Sequence, residues 1–518
     1  MSILKRIPFH PVLIGFFPVL ALLVHNIDQI KPGVSFRSFL VATLLAVVTV
    51  LVLRIFIRDW QKAALGASWL LVFFFAYGQV YNFLKYHKIL GLMLDRHRLL
   101  VPLFLVLFGV GFWYGVKKVR EYSTITGVFN IVGILLIVIP IIQLISFELH
   151  ISGNYYPPSS LPEGVTLQLN SSPPDIYYIV LDSYARYDIL KGYFGYDNTP
   201  FLKALEDLGF YVAHCSQSNY SQTDFSLATA LSFNYLNELG GLTNWEKDRP
   251  RMWVYLKHSA ARRLLAENGY VFVAFDTGYF DSSIEDADVY YSNASKGALG
   301  INKIAPINSF EMILIKTSAI KLLKDASLYV PKFMRLSEEG PKMIHRDQVL
   351  FSLDKLGSVP TTLQSPKFVF AHIVAPHLPI VFGPNGEKVG FHNSGEKESY
   401  SKGYIGEIEY LNKRLLSIVK NIIANSKNPP IIIIQGDHGY ENAPVENRML
   451  ILNAYYLPDG GDKLLYPSIT PVNSFRVVFN YYFGTNLPLL DNISYFSLYD
   501  ASFKFIVVPN QMLNCGNR

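Results

Sequence analysis

Residues 431–441 read IIIIQGDHGYE, and this stretch decides the fold. Its run of four isoleucines is typical of a strand that is buried on both faces of a parallel sheet. Gln435 and Gly436 follow the isoleucines, and Asp437 and His438 come next. In open α/β sheets, ligands bind just outside the carboxyl ends of the strands. Functional side chains are therefore expected where this strand and its neighbours end.

Four more apolar runs flank this strand in the sequence. They are IYYIVL (176–181), VFVAF (271–275), FVFAHIV (368–374) and MLILNAYYL (449–457). Between them lie amphipathic stretches with apolar residues at helical spacing, such as TPFLKALEDLGF (199–210) and YIGEIEYLNKRLLSIVKNIIANS (404–426). Alternation of strands and helices predicts an α/β domain over 176–518, built on a doubly wound, mostly parallel sheet.

The first 150 residues have a different character. They contain five long apolar stretches, at 8–27, 38–57, 63–84, 99–116 and 125–147. Each approaches the roughly 20 residues that cross the hydrocarbon core of a bilayer. Backbone amides in lipid must pair internally, so these stretches are predicted to form a transmembrane domain of five helices. The first stretch also fits a signal peptide, but no small-residue cleavage site follows it, and we interpret it as a retained anchor.

Basic residues give the orientation of these helices. Lys117, Lys118 and Arg120 precede the last stretch, and no Lys or Arg follows until Arg186. The positive-inside rule therefore predicts that residues after about 150 lie outside the cytoplasm. Residues 151–175 are rich in Pro, Ser, Asn and Gly and are predicted to be an extended linker.

Composition excludes several classes of protein. The chain of 518 residues has 46 Lys and Arg against 40 Asp and Glu, a net charge of +6, and only 17% of its residues are charged. No basic stripe of the kind that binds nucleic acid is present, so no nucleic-acid partner is expected. Two cysteines are too few for a disulfide scaffold or a thiolate zinc cluster.

Polar residues stand at or just past several strand ends. Asp182 follows the run 176–181, and Asp437 and His438 follow 431–435. The motif HIVAPHLP places His372 and His377 at or just past a third strand end. A Ser/Thr-rich turn enters a predicted helix near Thr223. All of these elements should meet at one edge of the sheet.

Each element also has a purely structural interpretation. An Asp after a strand is often a turn former or a helix cap, and Thr223 at a helix start fits an N-cap. Asp437-His438-Gly439 fits a tight loop, and the segment around His377 fits a rigid turn. What favours a functional interpretation is their shared location.

The residue types point to a metal site. Two carboxylates, an imidazole and a hydroxyl oxygen form a mixed oxygen and nitrogen shell, which suits zinc or manganese better than magnesium or calcium. A divalent metal ion lowers the pKa of a coordinated hydroxyl. Thr223, at a helix start where unpaired N–H groups favour an anion, is then a candidate nucleophile.

These segments resemble the alkaline phosphatase–sulfatase superfamily. Within it they are similar to the membrane-anchored branch of lipoteichoic acid synthases and phosphoethanolamine transferases, which have five spans before an extracytoplasmic catalytic domain. The resemblance is carried by the apolar strand entering GDHG at 436–439 and by the strand ending in Asp182. Thr223 takes the position of the nucleophile, and His372 and His377 match the pattern H-x-x-x-x-H-x-P of the transferases.

The resemblance implies roles for these residues. It implies one metal ion bound by Asp182, Thr223, Asp437 and His438. It further implies that His377 and His372 contact the transferred group or its leaving oxygen, with Thr223 forming a covalent intermediate.

The sequence departs from the family in two ways. Thr223 replaces the Cys or Ser that sulfatases convert to formylglycine, and the Pro and Arg of that motif are missing at 225 and 227. Sulfate-ester hydrolysis by that route is therefore not expected. No histidine follows His438, and 378–430 contains only His392, so a second tightly held metal ion is not expected.

The leading hypothesis is a membrane-bound transferase that moves a phospho-group, similar to phosphoethanolamine or glycerophosphate, from a phospholipid donor to a hydroxyl or glycan acceptor of the cell envelope. It implies a protein of the plasma (inner) membrane with its catalytic domain outside the cytoplasm. The alternative within enzymes is a sulfatase-like hydrolase of phosphate or sulfate esters. The alternative of another class is an inactive family member that acts as a membrane scaffold.

Overall fold

The protein was analysed as a computed structural model. It describes residues 2–27, 30–87, 96–152, 166–169, 172–239, 250–279, 281–293, 307–325, 332–389 and 397–509. The described residues form two compact units. The helical unit contains the described residues up to 152 together with those in 307–341, and the α/β unit contains the others.

Helices and strands were numbered along the chain. The helices are α1 Ser2–Arg6, α2 His10–His25, α3 Phe36–Ile57, α4 Trp60–Tyr86, α5 His97–Lys117, α6 Tyr122–Ser152, α7 Tyr187–Phe194, α8 Thr199–Glu206, α9 Thr223–Ser232, α10 Pro250–Lys257, α11 Ala260–Glu267, α12 Ser309–Lys316, α13 Ile320–Asp325, α14 Lys332–Thr362, α15 Lys397–Asn425, α16 Val445–Arg448 and α17 Pro471–Tyr482. The strands are β1 Ile176–Leu181, β2 Tyr211–Val212, β3 Val271–Phe275, β4 Val289–Tyr291, β5 Lys367–Ile373, β6 Ile431–Gly436, β7 Asn453–Tyr456, β8 Ser494–Phe496 and β9 Ile506–Val508.

Helices α2 to α6 occupy the five predicted apolar stretches. Within the described residues, four helices are long and apolar enough to cross a membrane, namely Pro32–Ile57, Trp60–Lys85, His97–Lys117 and Tyr122–Leu149. Four of the five predicted spans thus meet this criterion, and the first predicted span contains the shorter apolar helix α2. Helix α2 has only 16 residues, which at 1.5 Å per residue is about 24 Å, short of the roughly 30 Å of hydrocarbon. It is separated from α1 by a break at residues 7–9.

The helical unit also contains a segment that the sequence assigned to the catalytic domain. Residues of 307–325 pack on the apolar helices: Arg37 donates hydrogen bonds to both carboxylate oxygens of Glu311. Asn308 caps α12 and donates its Nδ2–H to the carbonyl of Val34 at 2.9 Å. The predicted single domain over 176–518 therefore differs from the observed units at this insertion. Its apolar helices α12 and α13 are too short for their periodicity to identify the unit to which they belong.

The α/β unit is built on a seven-stranded sheet in the order β2-β7-β6-β1-β5-β3-β4. Strands β6, β1, β5, β3 and β4 run parallel. At one edge β7 is antiparallel to β6, and β2 is antiparallel to β7 and so runs in the direction of the parallel strands. This confirms the mostly parallel sheet, with strand bounds that match the apolar runs closely. The predicted strand at 449–457 is shorter, at Asn453–Tyr456.

Helices cover both faces of this sheet. Tyr177, Ile179 and Leu181 of β1 belong to a buried cluster that includes Leu411 and Leu415 of α15. Alternate residues of a strand point to opposite faces. On the other face, the ring of Tyr178 lies 5.4 Å from that of Phe475 in α17. A strand with apolar neighbours on both sides must be apolar at every position, which explains the uninterrupted run IYYIVL.

The predicted linker 151–175 lies partly outside the described residues, and so does the second cysteine, Cys515. Its described end packs against the α/β unit. Gln168 donates its backbone N–H to Phe483, and Tyr270 donates its hydroxyl to the carbonyl of Pro174.

A buried ion pair closes the amino-terminal end of the sheet, opposite the strand ends considered above. The Nζ atom of Lys367 lies 2.6 Å from Oδ2 of Asp175, and both side chains are almost fully buried. Oδ1 of Asp175 accepts the backbone N–H of Lys367, and the hydroxyl of Ser365 donates to Oδ2. The pair therefore joins the start of β1 to the start of β5.

We expect Lys367→Met to lower the free energy of unfolding of the α/β unit by about 3 kcal/mol, because the variant leaves a buried carboxylate without its counter-charge. The double variant Lys367→Met with Asp175→Leu should recover most of the loss. Denaturant unfolding followed by limited proteolysis measures both. Lys203→Met, which breaks the exposed pair with Asp207, is the matched control and should change stability little. Equal losses at Lys367 and Lys203 would contradict this assignment.

Candidate metal centre

The sheet brings three predicted residues to one point. Strand β1 lies between β5 and β6, with Val180 beside His372 and Leu181 beside Gly436. Asp182 follows β1, His372 is near the end of β5, and Asp437 follows β6. Parallel strands in this register place these side chains at one edge. Asp182, His372 and Asp437 each offer a ligand atom, and the three atoms lie within 4.8 Å of one another.

His438 joins this group through its Nε2 atom. That atom lies 3.5 Å from Oδ1 of Asp182 and 3.7 Å from Oδ2 of Asp437. Its Nδ1 atom lies 2.8 Å from the carbonyl oxygen of Gly439. A carbonyl only accepts, so Nδ1 carries the proton and the lone pair of Nε2 points toward the two carboxylates. This hydrogen bond to the backbone is the usual way in which a metal-binding histidine is oriented.

The two oxygens of the Asp437 carboxylate have different surroundings. Its Oδ1 atom accepts the backbone N–H groups of Ser183 at 3.0 Å and His438 at 2.8 Å. Its Oδ2 atom is buried and has no hydrogen-bond partner among the described residues. The backbone thus fixes one oxygen of Asp437 and leaves the other directed into the cluster.

Several buried atoms of the cluster share this property. The atoms without a hydrogen-bond partner in the described part of the chain include Oδ1 of Asp182, Oδ2 of Asp437 and both ring nitrogens of His372. Leaving a buried polar atom unpaired costs about 1–3 kcal/mol. Carboxylate oxygens and imidazole nitrogens that converge in this way fit a divalent cation, because one ion satisfies all of them at once.

The charges in the cluster support one another. Burial opposes ionisation of Asp182, but His377, His372 and His438 lower its pKa below the usual value, so it stays a carboxylate. Burial also opposes protonation of His372, while its contact with Asp182 raises the pKa above the usual value. Nε2 of His372 lies 3.5 Å from Oδ2 of Asp182.

The backbone around the cluster is tightly constrained. Ser183 has a φ of +66°, in the left-handed region that non-glycine residues rarely adopt, and this conformation lets its N–H reach Asp437. A side chain at Gly439 would place Cβ 2.5 Å from the carbonyl oxygen of Leu450. The conformation of Ser183 joins the end of β1 to the end of β6. The close approach of Leu450 leaves no room for a side chain at Gly439, which explains the second glycine of the GDHG motif.

Thr223 is the first residue of α9, as predicted, and is half-buried. Ser226, one turn later, donates its hydroxyl to the carbonyl oxygen of Asp437 at 2.7 Å. The first turn of α9 is therefore held against the loop that carries Asp437 and His438. The N-cap residue Gln222 makes no side-chain hydrogen bond to the helix. The role of Thr223 as ligand and nucleophile stays a prediction.

His377 pairs with a residue that the sequence analysis missed. Its Nε2 atom lies 2.7 Å from Oε1 of Glu441, and its Nδ1 atom lies 2.7 Å from the carbonyl oxygen of Leu378. Its ring centroid is 6.5 Å from that of His438. Glu441 follows His438 by three residues, but nothing in a single sequence pairs it with a histidine 64 positions away.

This pairing keeps His377 protonated. Burial opposes the charge, but Asp182 and Glu441 outweigh it and raise the pKa of His377 to about 10. Burial likewise opposes ionisation of Glu441, yet His377 lowers the pKa of that carboxyl. Both ring nitrogens face acceptors, so the imidazolium form satisfies each contact. If a substrate oxyanion took the place of the Glu441 carboxylate, the Nε2–H group of His377 could donate its proton to that oxyanion.

The predicted residues thus fall into two groups. Asp182, Asp437, His438 and His372 form one buried cluster, and His372, which the resemblance assigned to the transferred group, lies inside it with the carboxylates. His377 lies at its half-exposed margin. Tyr279 also lies near these charges: burial, Asp182, Asp281 and Glu441 raise its pKa to about 12. The loop after β3 gave no sequence signal for this, because an isolated tyrosine carries no motif.

No protein-family model matches the sequence, and no curated protein matches it. Solved structures with a similar fold were found. The zinc complex of the C-terminal periplasmic domain of EptC from Escherichia coli has 13% identity and a TM-score of 0.43, covering 68% of this chain and 99% of that one. The integral membrane lipooligosaccharide phosphoethanolamine transferase A from Neisseria meningitidis has 12% identity and a TM-score of 0.36, covering 92% and 94%. An alkaline phosphatase superfamily protein from Vibrio parahaemolyticus has 11% identity and a TM-score of 0.38, covering 68% and 80%.

We expect Asp437→Asn to weaken divalent metal binding at least about 100-fold. Losing a metal ligand should lower metal affinity more than losing a residue that only orients a ligand. Metal content after dialysis against zinc or manganese, measured by mass spectrometry of the full chain, tests this. Asp188→Asn, at a carboxylate that forms an ion pair with Arg186, is the control. Unchanged metal content in Asp437→Asn would refute the site.

In the metal-free protein we expect Glu441→Gln to lower the pKa of His377, because it removes a negative partner. The histidine NMR signal followed against pH measures the shift. The folded pKa of about 10 lies above the reference value of 6.5. The stabilisation from protonated His377 is therefore complete below pH 6.5 and is lost as pH rises through about 10. A His377 signal that titrates alike in both proteins would contradict the pairing.

Proposed function

We propose that this chain is a membrane-anchored, metal-dependent transferase that moves a phospho-group from a lipid donor to a hydroxyl of an envelope acceptor. The observation that carries the proposal is the cluster of unpaired buried atoms from Asp182, Asp437 and His372, with His438 beside it, at the start of α9. With a divalent ion bound, such a site would place positive charge beside a helix N-terminus, where an anionic phosphorus centre is favoured.

Asp182, Asp437, His438 and Thr223 are the residues that would hold the metal ion. When bound, a divalent ion neutralises charge on a phosphoryl group and favours ionisation of a nearby hydroxyl. The mixed oxygen and nitrogen donor set favours zinc or manganese over magnesium or calcium. The buried position of the carboxylates strengthens any electrostatic contact made there.

Thr223 is the proposed nucleophile. Its Oγ atom, ionised before the attack with its proton released to solvent, forms a bond to phosphorus while the bond from phosphorus to the alcohol oxygen of the donor breaks. The N–H of Thr223, which the N-cap side chain does not bind, would donate to an equatorial oxygen, whereas the N–H of Phe225 already donates to Oδ1 of Asp224. The hydrogen bond from Ser226 to Asp437 keeps the first turn of α9 in place. In the second half-reaction the acceptor hydroxyl attacks phosphorus, and the threonine oxygen leaves.

His377 is the proposed general acid. It holds a proton at Nε2 against Glu441 and transfers it to the departing alkoxide of the donor. In the second half-reaction the neutral imidazole takes the proton of the acceptor hydroxyl, so His377 is protonated again at the end of the cycle. The raised pKa of His377 keeps the acid form populated at neutral pH.

The location follows from the helical unit. Four helices long and apolar enough to cross a bilayer precede the α/β unit in the chain, which favours a lipid donor. We place the α/β unit on the outer face of the plasma membrane, from the basic residues before α6 and their absence after it. An extracytoplasmic site gives access to an envelope acceptor.

Thr223→Ala should lower transfer by about a thousandfold or more, because it removes the atom that forms the intermediate. The full-length protein is incubated with radiolabelled phosphatidylethanolamine and an acceptor alcohol, and products are separated. Thr223→Ser retains a hydroxyl and should keep measurable activity. Mass spectrometry of the peptide around Thr223 should detect an added phospho-group in the wild type and none in Thr223→Ala.

The same experiment separates the alternatives. Release of product without an acceptor would make the protein a hydrolase. Absence of turnover and of any adduct with phosphate, sulfate and lipid esters would make it an inactive scaffold and would overturn the proposal.

A further inference from the structure

The turn that follows β1 serves two parts of the buried cluster. We call residues 182–186 the β1 turn. Asp182 supplies a carboxylate, and the backbone N–H of Ser183 donates to Oδ1 of Asp437 at 3.0 Å. The hydroxyl of Ser183 also donates to the carbonyl oxygen of Gly439 at 3.2 Å. The conformation of the β1 turn therefore affects both carboxylates of the cluster.

The β1 turn needs support from the rest of the fold. Ser183 has a φ of +66°, which is strained for a residue with a side chain, and such a conformation persists only where surrounding contacts determine it. The strained residue is the same one that donates its N–H to Asp437. The supporting contacts are therefore expected at the backbone groups on either side of it.

A hydroxyl from helix α15 makes these contacts. Tyr404 donates its O–H to the carbonyl oxygen of Ser183 at 2.7 Å and accepts the backbone N–H of Ala185 at 3.2 Å. Its side chain is fully buried. Burial raises the pKa of Tyr404 well above the usual value, so the hydroxyl keeps the proton that it donates. One hydroxyl group thus bridges a carbonyl and an amide that lie two residues apart in the β1 turn.

Helix α15 contacts the surroundings of the cluster at two further points. The hydroxyl of Tyr184, in the middle of the β1 turn, donates to Oδ1 of Asn412 at 2.6 Å. The ring of Tyr404 lies 5.2 Å from the ring of Tyr440, which directly follows the GDHG motif. Tyr404 therefore touches both of the loops that carry the carboxylates, one through its hydroxyl and the other through its ring.

The hydroxyl distinguishes this role from plain core packing. Phenylalanine would fill almost the same volume and would keep the ring contact with Tyr440. It would leave the buried carbonyl of Ser183 and the buried N–H of Ala185 without the partner that they have in the native protein, and unpaired buried groups are unfavourable. The β1 turn would then lose the contacts that hold its strained residue.

We propose that Tyr404 is a positioning residue of the metal centre, whose hydroxyl holds the β1 turn in the conformation that directs Asp182 into the cluster and presents the N–H of Ser183 to Asp437. A residue that orients a metal ligand without touching the ion changes the affinity for the ion. The effect on metal binding rests on the metal site of the proposed function, whereas the effect on the β1 turn does not.

Hydrogen exchange of the metal-free, full-length protein tests the effect on the turn. Tyr404→Phe removes only the hydroxyl. Tyr270→Phe is the matched control, because Tyr270 is also buried and donates its hydroxyl to a backbone carbonyl, that of Pro174 at 2.9 Å, at the other end of the sheet. Mass spectrometry compares a peptide that contains the β1 turn with a peptide from β6, which reports opening of the whole sheet.

We expect amides of the β1 turn to exchange at least about fivefold faster in Tyr404→Phe, with exchange in β6 unchanged. Tyr270→Phe should leave exchange in the β1 turn as it is in the wild type. Unchanged exchange in the turn of Tyr404→Phe would overturn the proposal. Equal acceleration in the turn and in β6 would also overturn it, because the hydroxyl would then only stabilise the fold.

Zinc affinity tests the consequence for the metal centre. Competition with a chromophoric chelator should show about tenfold weaker zinc binding in Tyr404→Phe and no change in Tyr270→Phe. Asp437→Asn, measured alongside, gives the background from other zinc-binding side chains. Wild-type zinc affinity in Tyr404→Phe would overturn the positioning role, even if exchange in the turn were faster. If the wild type binds no more zinc than Asp437→Asn, the metal site of the proposed function fails, while hydrogen exchange still decides whether Tyr404 holds the turn.

Discussion

The site depends on the parallel pairing of β1 with β5 on one side and β6 on the other. In this register Val180 lies beside His372, and Leu181 lies beside both Ile373 and Gly436. Asp182 and Asp437 directly follow β1 and β6, and His372 is the next-to-last residue of β5, so the ends of three strands supply the buried cluster. A slip of one residue in either pairing would turn a ligand side chain to the opposite face of the sheet. The register is held by the apolar side chains that pack on both faces and by the Lys367–Asp175 pair at the other end.

The cluster is unfavourable without a cation, and the surrounding structure maintains it. Burial works against every charge in it, and the left-handed Ser183 adds local strain. Against this, two backbone N–H groups hold Asp437, the carbonyl of Gly439 holds His438, and histidines offset the charge of Asp182. The cluster therefore lowers the stability of the fold locally, but it holds the metal-ligating side chains in place before a metal ion binds. At the margin of the site, the ion pair between His377 and Glu441 fixes the position of a proton in a similar way.

The elements with long, uniform patterns were predictable from the sequence. The runs 176–181 and 271–275 have the bounds of β1 and β3 as observed, because strands buried on both faces are apolar at every position. The helix start at Thr223 was readable from the Ser/Thr-rich turn. The apolar stretch at 8–27 was less informative: composition identified a helix, but its length depends on the break at residues 7–9 and on where the chain turns after His25. Helices α12 and α13 of the insertion were assigned to the wrong unit, because the ion pair of Glu311 with Arg37 joins positions 274 residues apart.

The sequence by itself determined the two-part chain, the parallel sheet and the identity of the polar residues at its strand ends, because hydrophobic periodicity and strand-end position are local properties. Only the folded chain brings His372 among the carboxylates, pairs Glu441 with His377, and joins the segment before α9 to β8 and the residues after it. Each of these is a contact between distant segments, and its existence depends on register, backbone conformation and packing that no single stretch of sequence encodes.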